Sequence, residues 1–436
     1  MRSYSSVFSI ALPLNLQQGL IVIAKSENHH SGHDLQPKTL ADAENLILSR
    51  VQPLGAEVIP VSSGRNRVLA SSITSSYAIP QFDRSAMDGF AVRSEDVMTA
   101  TIGCPICLTV VGRSLPNNPY LPALLPGEAV QITTGALLPA GADAVALQEA
   151  VKVDLDQIRL PSSLTPWTNV SRAGEDIKNG ELLFEHGRVL RPQDLGVLTS
   201  IGIAQVEVTR RPRVSIFVTG NEVLPCGSQP TGFQIVDSSS TMLRALIERD
   251  GGIADSPKYL PDNLSTIEQE MCSTTADLII VTGGTSLGVE GEAPMALRNV
   301  GELLVHGVQI RPARPIGFGL VNGRPVYLLP GNPLSCLCAY DLLVRLALQQ
   351  LASQPLMMPY PRVALPLGQP LSSVAGRVDY VRVVIRDNLV IPVKHGPGSG
   401  ASVLSAASRA DGFVLVAAAQ TAVPAFEVVD VNLYDG

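Results

Sequence analysis

Apolar positions along the chain change their spacing several times, and each change marks an element. In "LADAENLILSRVQPL", Ala41, Ala43, Leu46, Ile47 and Val51 recur at helical spacing and predict the first helix. The apolar stretch before it, residues 7–24, is broken by Pro13, Asn15, Gln17 and Gln18. That is too interrupted to span a membrane, and it lacks a clean small-residue cleavage site. Residues 1–36 therefore read as a disordered polar leader, in which "HHSGH" is at most a weak metal ligand set.

From 81 to 164 short β-type runs ("ICLTVVG", "AVQIT", "AVALQ") alternate with dense Pro and Gly punctuation, predicting a small, mostly β domain. Residues 165–211 return to mixed structure and are expected to rejoin 37–80 and the first helix as one mixed α/β body. Residues 212–350 have another rhythm. "RVSIFVTG" is a buried-type strand, followed by a helix starting near Asp237 with Met242, Leu243, Leu246 and Ile247 on one face and Gly251–Gly252 as its stop. Strand "DLIIVTGG", helix "APMALRN", strand "PVYLLPGNP" and helix "LSCLCAYDLLVRLALQQL" follow. Such alternation predicts a parallel, doubly wound sheet. From 351 to 436, "YVRVVI", "LVIPV", "FVLVAA" and "FEVVDVNL" predict a C-terminal, barrel-like β domain. The fold class is thus multidomain α/β.

Composition narrows the function. The 436 residues are 45% apolar, 16% charged and 4% aromatic, with a formal net charge of -7 and no lysine or arginine block. A nucleic-acid partner needs a basic face, so none is expected; a membrane span is not expected either. Six cysteines do not make a disulfide framework. Cys104 and Cys107 form a lone CxxC that reads as two strand cysteines, and Cys336 and Cys338 fall in an apolar helical run as core. The chain reads as cytoplasmic.

In doubly wound sheets ligands bind beyond the carboxyl ends of the strands. Those ends here read "TGNE", "TGG" and "PGNP". "TGGTSLG" (Thr282, Gly283, Gly284, Ser286, Gly288) leaves backbone amides free for a phosphate or pterin. It lacks the Lys-Ser/Thr of a P-loop. "PGNP" (Pro330, Gly331, Asn332, Pro333) opens a helix in the same way. Glu222 ends one strand, Asp237 starts a helix and Asp262 follows a short apolar run; carboxylates gathered at strand ends suit Mg²⁺. Arg311 and Arg314 in "IRPARP" match phosphates and oxyanions.

In this order the motifs "PQFDRSAMDGFAVR", "GEAVQITTGALLPAGADAV", "RAGEDIKNGELL", "RPRVSIFVTGNEV", "VTGGTSLG", "IRPARP" and "LPGNPLS" resemble the molybdopterin molybdenumtransferase family, that is MoeA and the E domain of gephyrin. They cover about 38 to 350; "GRVDYVRV" and "ASRADGF" match more weakly. The resemblance implies four domains, the third MogA-like, at 37–80 with 165–211, 81–164, 212–350 and 351–436. It also implies a homodimer whose site lies between the doubly wound domain of one chain and the "SAMDG" and "TTGA" loops of the other. The implied chemistry takes adenylylated molybdopterin and molybdate, releases AMP and is assisted by Mg²⁺. Carried over, Asp88, Thr134, Asp176, Glu222 and Asp262 become the catalytic set. Asp237, the glycine loop, "PGNP", Arg311 and Arg314 hold the substrate, with Arg382 and Ser402 as contacts from the C-terminal part.

Two departures stand out. The family loop GGxSxGxxD ends in an aspartate where this chain has Gly291, so the acid is lost or displaced to Glu290 or Glu292. Glu222, Asp262 and Glu290 are then the expected metal ligands. The family's KPGKP is here Arg311-Pro-Ala313-Arg314-Pro. The reading is a transferase of altered or reduced activity. The alternative is a non-catalytic paralogue that carries molybdopterin or molybdate; under either reading molybdenum enzymes or their chaperones are expected as further partners. A gephyrin-like scaffold has no supporting surface motif.

Overall fold

The computed structural model describes residues 36–285, 291–393 and 404–434. The leader lies outside them.

The centre of the chain is a seven-stranded sheet. Arg213–Thr219 pairs in parallel with Leu278–Thr282 on one side and with Ile253–Ala254 and Lys258–Leu260 on the other; Leu278–Thr282 pairs in parallel with Arg324–Leu329. Alternation along these strands divides their side chains between two cores. Val214, Ile216, Val218, Leu278, Ile280, Tyr327 and Leu329 face one side, where they meet helices Ser239–Arg249 and Pro333–Leu351. Phe217, Ile279, Val281, Val326 and Leu328 face the other, against helices Leu264–Ser273 and Glu292–Val300. A strand buried on both faces must be nearly all apolar, which is why "RVSIFVT" and "LIIVT" carry no surface pattern. The sheet departs from the all-parallel expectation at one edge. Gly317–Val321 runs antiparallel to Arg324–Leu329, and Glu302–His306 antiparallel to Gly317–Val321. Antiparallel edge strands are common on otherwise parallel sheets.

The first helix is found at Leu40–Arg50, with Thr39 capping the Asp42 amide. Its packing differs from the expected partnership with 165–211. Ala43, Ile47 and Val51 lie in the core of the seven-stranded sheet with Val344, Ala347 and Leu351. Strands Ala56–Pro60 and Gln205–Thr209 pair with each other, and that part of the chain builds a separate core from Val61, Leu69, Phe184, Leu190, Leu198, Val206 and Val208. The helix shows one narrow apolar face, and periodicity alone does not say which neighbour covers it.

Residues 84–171 hold a six-stranded sheet in the order Ala144–Leu147, Gly89–Val92, Glu128–Ile132, Ile106–Ser114, Gln157–Leu160, Lys152–Asp154. The C-terminal sheet runs Ile310–Arg311, Val378–Arg386, Gly412–Val416, Val428–Leu433, Arg362–Pro366, with Leu389–Pro392 against Val378–Arg386. A bridge from Leu367 to Val390 brings its far edge back to its beginning, curling the sheet around Val383, Val390, Val414 and Val431.

Helix Pro333–Leu351 is long and apolar enough to cross a membrane by length and composition, but 94% of it is buried inside the protein. Cys336 and Cys338 are in its core, as expected. Tyr340–Val344 forms a π turn within it. That turn carries the fully buried Asp341, which accepts hydrogen bonds from Tyr360 (2.9 Å) and Tyr380 (3.0 Å) and lies 3.5 Å from Arg249. Burial pushes its carboxyl up to about 6 from an ordinary 3.8. Folding therefore favours the protonated form. The contribution is fully present below pH ~4 and lost as pH rises through about 6, a span worth on the order of 3 kcal/mol. Asp341→Asn is expected to flatten that component. Urea midpoints of wild type and variant, compared at pH 5 and pH 7.5, should differ between the two pH values; an identical offset at both refutes the assignment.

Candidate active site

The strand ends converge as the doubly wound pattern requires. Gly283 donates to the Leu329 carbonyl (3.2 Å), and the Thr219 hydroxyl donates to the Thr282 carbonyl (3.2 Å). A Cβ on Gly283 would stand 2.4 Å from the Thr219 carbonyl oxygen, and one on Gly331 3.6 Å from the Gly283 Cα. The "TGNE", "TGG" and "PGNP" turns are thus laid edge to edge. Gly283 (φ 92°) and Gly284 (φ 61°) both occupy the left-handed region that glycine tolerates. Asn332 is the N-cap and Pro333 the first residue of the long helix. The Asn332 side chain makes no cap bond of its own.

Asn221 and Asp262 bind each other. The Asn221 amide donates to the Asp262 carboxylate (3.1 Å) and the Asp262 amide to the Asn221 side chain (3.3 Å). Both Asp262 and Glu222, the neighbour of Asn221, are exposed. Asn221 is a residue that the sequence reading missed; its signal is its place in "TGNE". Asp237 proves to be internal. Its carboxylate accepts from the amides of Ser239 (2.9 Å) and Ser240 (3.1 Å), the Ser240 hydroxyl and Tyr259 (3.1 Å). It is spent on starting the helix and has little capacity left for a ligand.

The arginine loop reaches the same edge. Gly317 pairs with Leu328, so residues 307–316 emerge beside the "PGNP" turn. Arg311 and Arg314 are exposed and make no ion pair among the described residues. Strand Ile310–Arg311 joins Val378–Arg386, the strand of Arg382. The Arg382 guanidinium is buried, and desolvation holds it below its ordinary range, with repulsion from Arg311 adding to the effect. Ala313, between the two exposed arginines, has φ 86° and is buried. An L residue there costs roughly 1–2 kcal/mol, partly offset by the entropy glycine loses on folding. Ala313→Gly is expected to raise stability by up to ~1 kcal/mol, read as a higher melting temperature; a lower one would mean that the lost methyl contact dominates.

Asp88 and Thr134 meet elsewhere. The Asp88 carboxylate accepts from the Thr134 amide (2.7 Å) and hydroxyl (2.9 Å). These two bonds, the amide's first, hold it below the usual carboxylate range. "SAMDG", "TTGA" and the "RAGED" segment are tied by Gly135 to Ser85 (2.8 Å), Ala86 to Asn169 (2.9 Å) and Ala173 to Asp83 (2.8 Å). Asp176 is exposed in that last segment, its amide donating to the Ile79 carbonyl (3.1 Å). Among the described residues no hydrogen bond or ion pair links this cluster to Glu222 or Asp262. Within one chain the two groups are thus not bonded to each other among the described residues.

The family's missing acid has a structural explanation. A Cβ on Gly291 would stand 1.7 Å from the Gly284 carbonyl oxygen, so no side chain fits there with the loop as it lies. Glu292 opens helix Glu292–Val300, and its Oε2 is buried with no hydrogen-bond partner among the described residues. Ser286, Gly288, Glu290 and Ser402 lie outside the described residues. Among the described residues no three His, Cys, Asp or Glu side chains gather as a metal cluster.

Comparison with known proteins decides the family. Residues 38–202 match the MoeA N-terminal region (domain I and II), 215–350 a probable molybdopterin binding domain, and 364–434 the MoeA C-terminal region (domain IV). The chain is 31% identical over 403 residues to a molybdopterin molybdenumtransferase of Haemophilus influenzae, covering 91% of this chain and 98% of that one. The chain belongs to the molybdopterin molybdenumtransferase family. A second member, from Synechococcus elongatus, is 34% identical over 305 residues, 67% of this chain and 75% of its own. In three dimensions the chain is similar to the molybdopterin biosynthesis MoeA protein of Pyrococcus horikoshii, with TM-score 0.78 and 30% identity over 92% of this chain and all of that one.

Proposed function

We propose that this protein inserts molybdenum from molybdate into adenylylated molybdopterin in the cytoplasm, releasing AMP. The observation that carries the reading is one sheet edge that brings together glycine turns and two guanidiniums that make no ion pair among the described residues. A pterin phosphate needs open backbone and fixed positive charge, and this edge supplies both. The turns at Gly283, Gly284 and Gly331 receive the substrate's anionic part. Arg311 and Arg314 hold its oxygens, and Arg382 adds charge from the C-terminal sheet.

The carboxylates at this edge fit Mg²⁺, which takes one or two protein oxygens and leaves the rest to water and phosphate. Glu222 and Asp262 would hold the ion, and it would supply charge neutralisation at the pyrophosphate. Asp88, held ionised by Thr134, and Asp176 complete the site from a second copy of the chain. The lack of any bond between the two groups among the described residues supports that shared arrangement. The test is direct: purified protein given adenylylated molybdopterin, molybdate and Mg²⁺ should release AMP and yield molybdenum-bearing cofactor. Binding of the substrate without AMP release would instead favour a carrier. A cross-link placed between the Asp88 loop of one copy and Glu222 of the other should form across chains; a monomer in solution removes the shared site.

A further inference from the structure

A cavity of about 890 Å³ lies at the start of strand Arg213–Thr219, the end opposite its "TGNE" turn. Four stretches and Val189 form it: the turn at 63–68, residues 209–211, the end of helix Ser239–Arg249 with Gly251, and residues 349–361 leading into the C-terminal sheet. None of the residues assigned above to substrate or metal lines it.

Its charges are unequal. Arg65, Arg67, Arg211 and Arg249 line the cavity against one carboxylate, Glu248. Two of these cations are neutralised. Arg67 is paired with Glu57 (2.5 Å) and Arg249 with Asp250 (2.8 Å). The other two are not. Arg211 is fixed by neutral acceptors, its Nε donating to the Gly251 carbonyl (2.9 Å) and Nη2 to that of Gly252 (2.5 Å). Its Nη1 makes no hydrogen bond among the described residues. Arg65 is exposed and makes neither hydrogen bond nor ion pair among the described residues. Val68, Val189, Met357 and Tyr360 supply an apolar wall. The Tyr360 hydroxyl is already engaged by Arg249 (2.6 Å) and Asp341 (2.9 Å), so what it offers the cavity is its ring.

We propose that this cavity binds a small organic anion, a single carboxylate or phosphate head on an apolar, ring-sized body. The volume is that of a small-molecule pocket. A guanidinium anchored on one side, with open N–H groups on the other, suits a planar or tetrahedral oxyanion, and Arg65 closes on it from solvent. Glu248 and the scarcity of unpaired cations weigh against polyanions such as nucleic acid or a nucleoside triphosphate. The site is separate from the molybdenum chemistry, so its test can fail without affecting that reading.

The probe is 8-anilinonaphthalene-1-sulfonate, titrated by fluorescence into the full chain. One saturable site is expected, weakened at least about tenfold by Arg65→Glu and within about threefold of wild type in Arg65→Lys. Arg65 holds no structural bond among the described residues, so both variants should melt with the wild type and release AMP at its rate. Displacement by 1-naphthyl phosphate or by 1-naphthoate identifies the head group. In the wild type the bound probe should protect Arg65 and Arg211 from phenylglyoxal, read by mass spectrometry. Equal affinity in Arg65→Glu, equal displacement by neutral 1-naphthylmethanol, displacement by neither anion, or protection confined to other arginines would each overturn the proposal.

Discussion

Gly291→Asp, which would give this chain the acid of its family's loop, is expected to damage the protein without improving it. The cause is the first side-chain atom and not the charge. A Cβ at 291 overlaps the Gly284 carbonyl, and that carbonyl belongs to the turn fixed by Gly283 on Leu329. Relieving the overlap means moving either the turn or the start of helix Glu292–Val300, whose Ala293, Ala296 and Leu297 are fully buried. Overpacking of this kind costs roughly 1–3 kcal/mol, occasionally more. Gly291→Ala should therefore lower the melting temperature nearly as much as Gly291→Asp, and neither should release AMP faster than wild type. A stable Gly291→Asp variant with faster AMP release would show that the loop lies differently with substrate bound and that the lost acid limits turnover.

Removing Arg311 and Arg314 together is expected to give the larger catalytic loss. Both are exposed and hold no ion pair among the described residues, so the Gln variants should fold and melt as the wild type does. Their charge near a transferring phosphoryl or molybdate oxygen is worth about 10²–10³ per contact when removed. The double Gln variant should lose at least about a hundredfold in the rate of AMP release per enzyme under saturating Mg²⁺. Lys at both positions should recover part of it, since charge returns but the planar fork does not. Near-wild-type turnover in the double Gln variant would leave the loop a surface feature and move the anion contacts elsewhere. The Arg382 guanidinium, buried with the C-terminal sheet, would be the first to examine.

Much of the central sheet could be read from residues because its code is simple. A strand buried on both faces is almost continuously apolar, and "RVSIFVTG", "DLIIVTGG" and "PVYLLPGNP" all end in turn residues at the same edge. The edge strands Glu302–His306 and Gly317–Val321 carry weaker patterns and were not foreseen. The same limit applies to the first helix: its stripe was visible, its partner was not. At the candidate site, turns and arginines were legible as residue types, while their occupation was not. Asp237 looked like a ligand and is consumed by Ser239, Ser240 and Tyr259, because an aspartate before a helix serves the helix equally well. Glycine at 291 looked like a lost function, and the backbone beside it shows that a side chain has no room.

The arginine loop has one more implication, for the order in which the protein is made. Lys38 accepts from Gln309 (2.8 Å) and donates to Gly307 (3.0 Å), while Gln309 accepts from Val378 (2.9 Å). One short segment is thus stitched both to the start of the described chain and to the C-terminal sheet. On the ribosome, the seven-stranded sheet can close as soon as Arg324–Leu329 and its helix have emerged, but the guanidiniums gain their second support only once strand Val378–Arg386 follows. A nascent chain halted before that strand would own a nearly complete scaffold with its charged fork unmoored, so substrate grip would be the last property the polypeptide acquires.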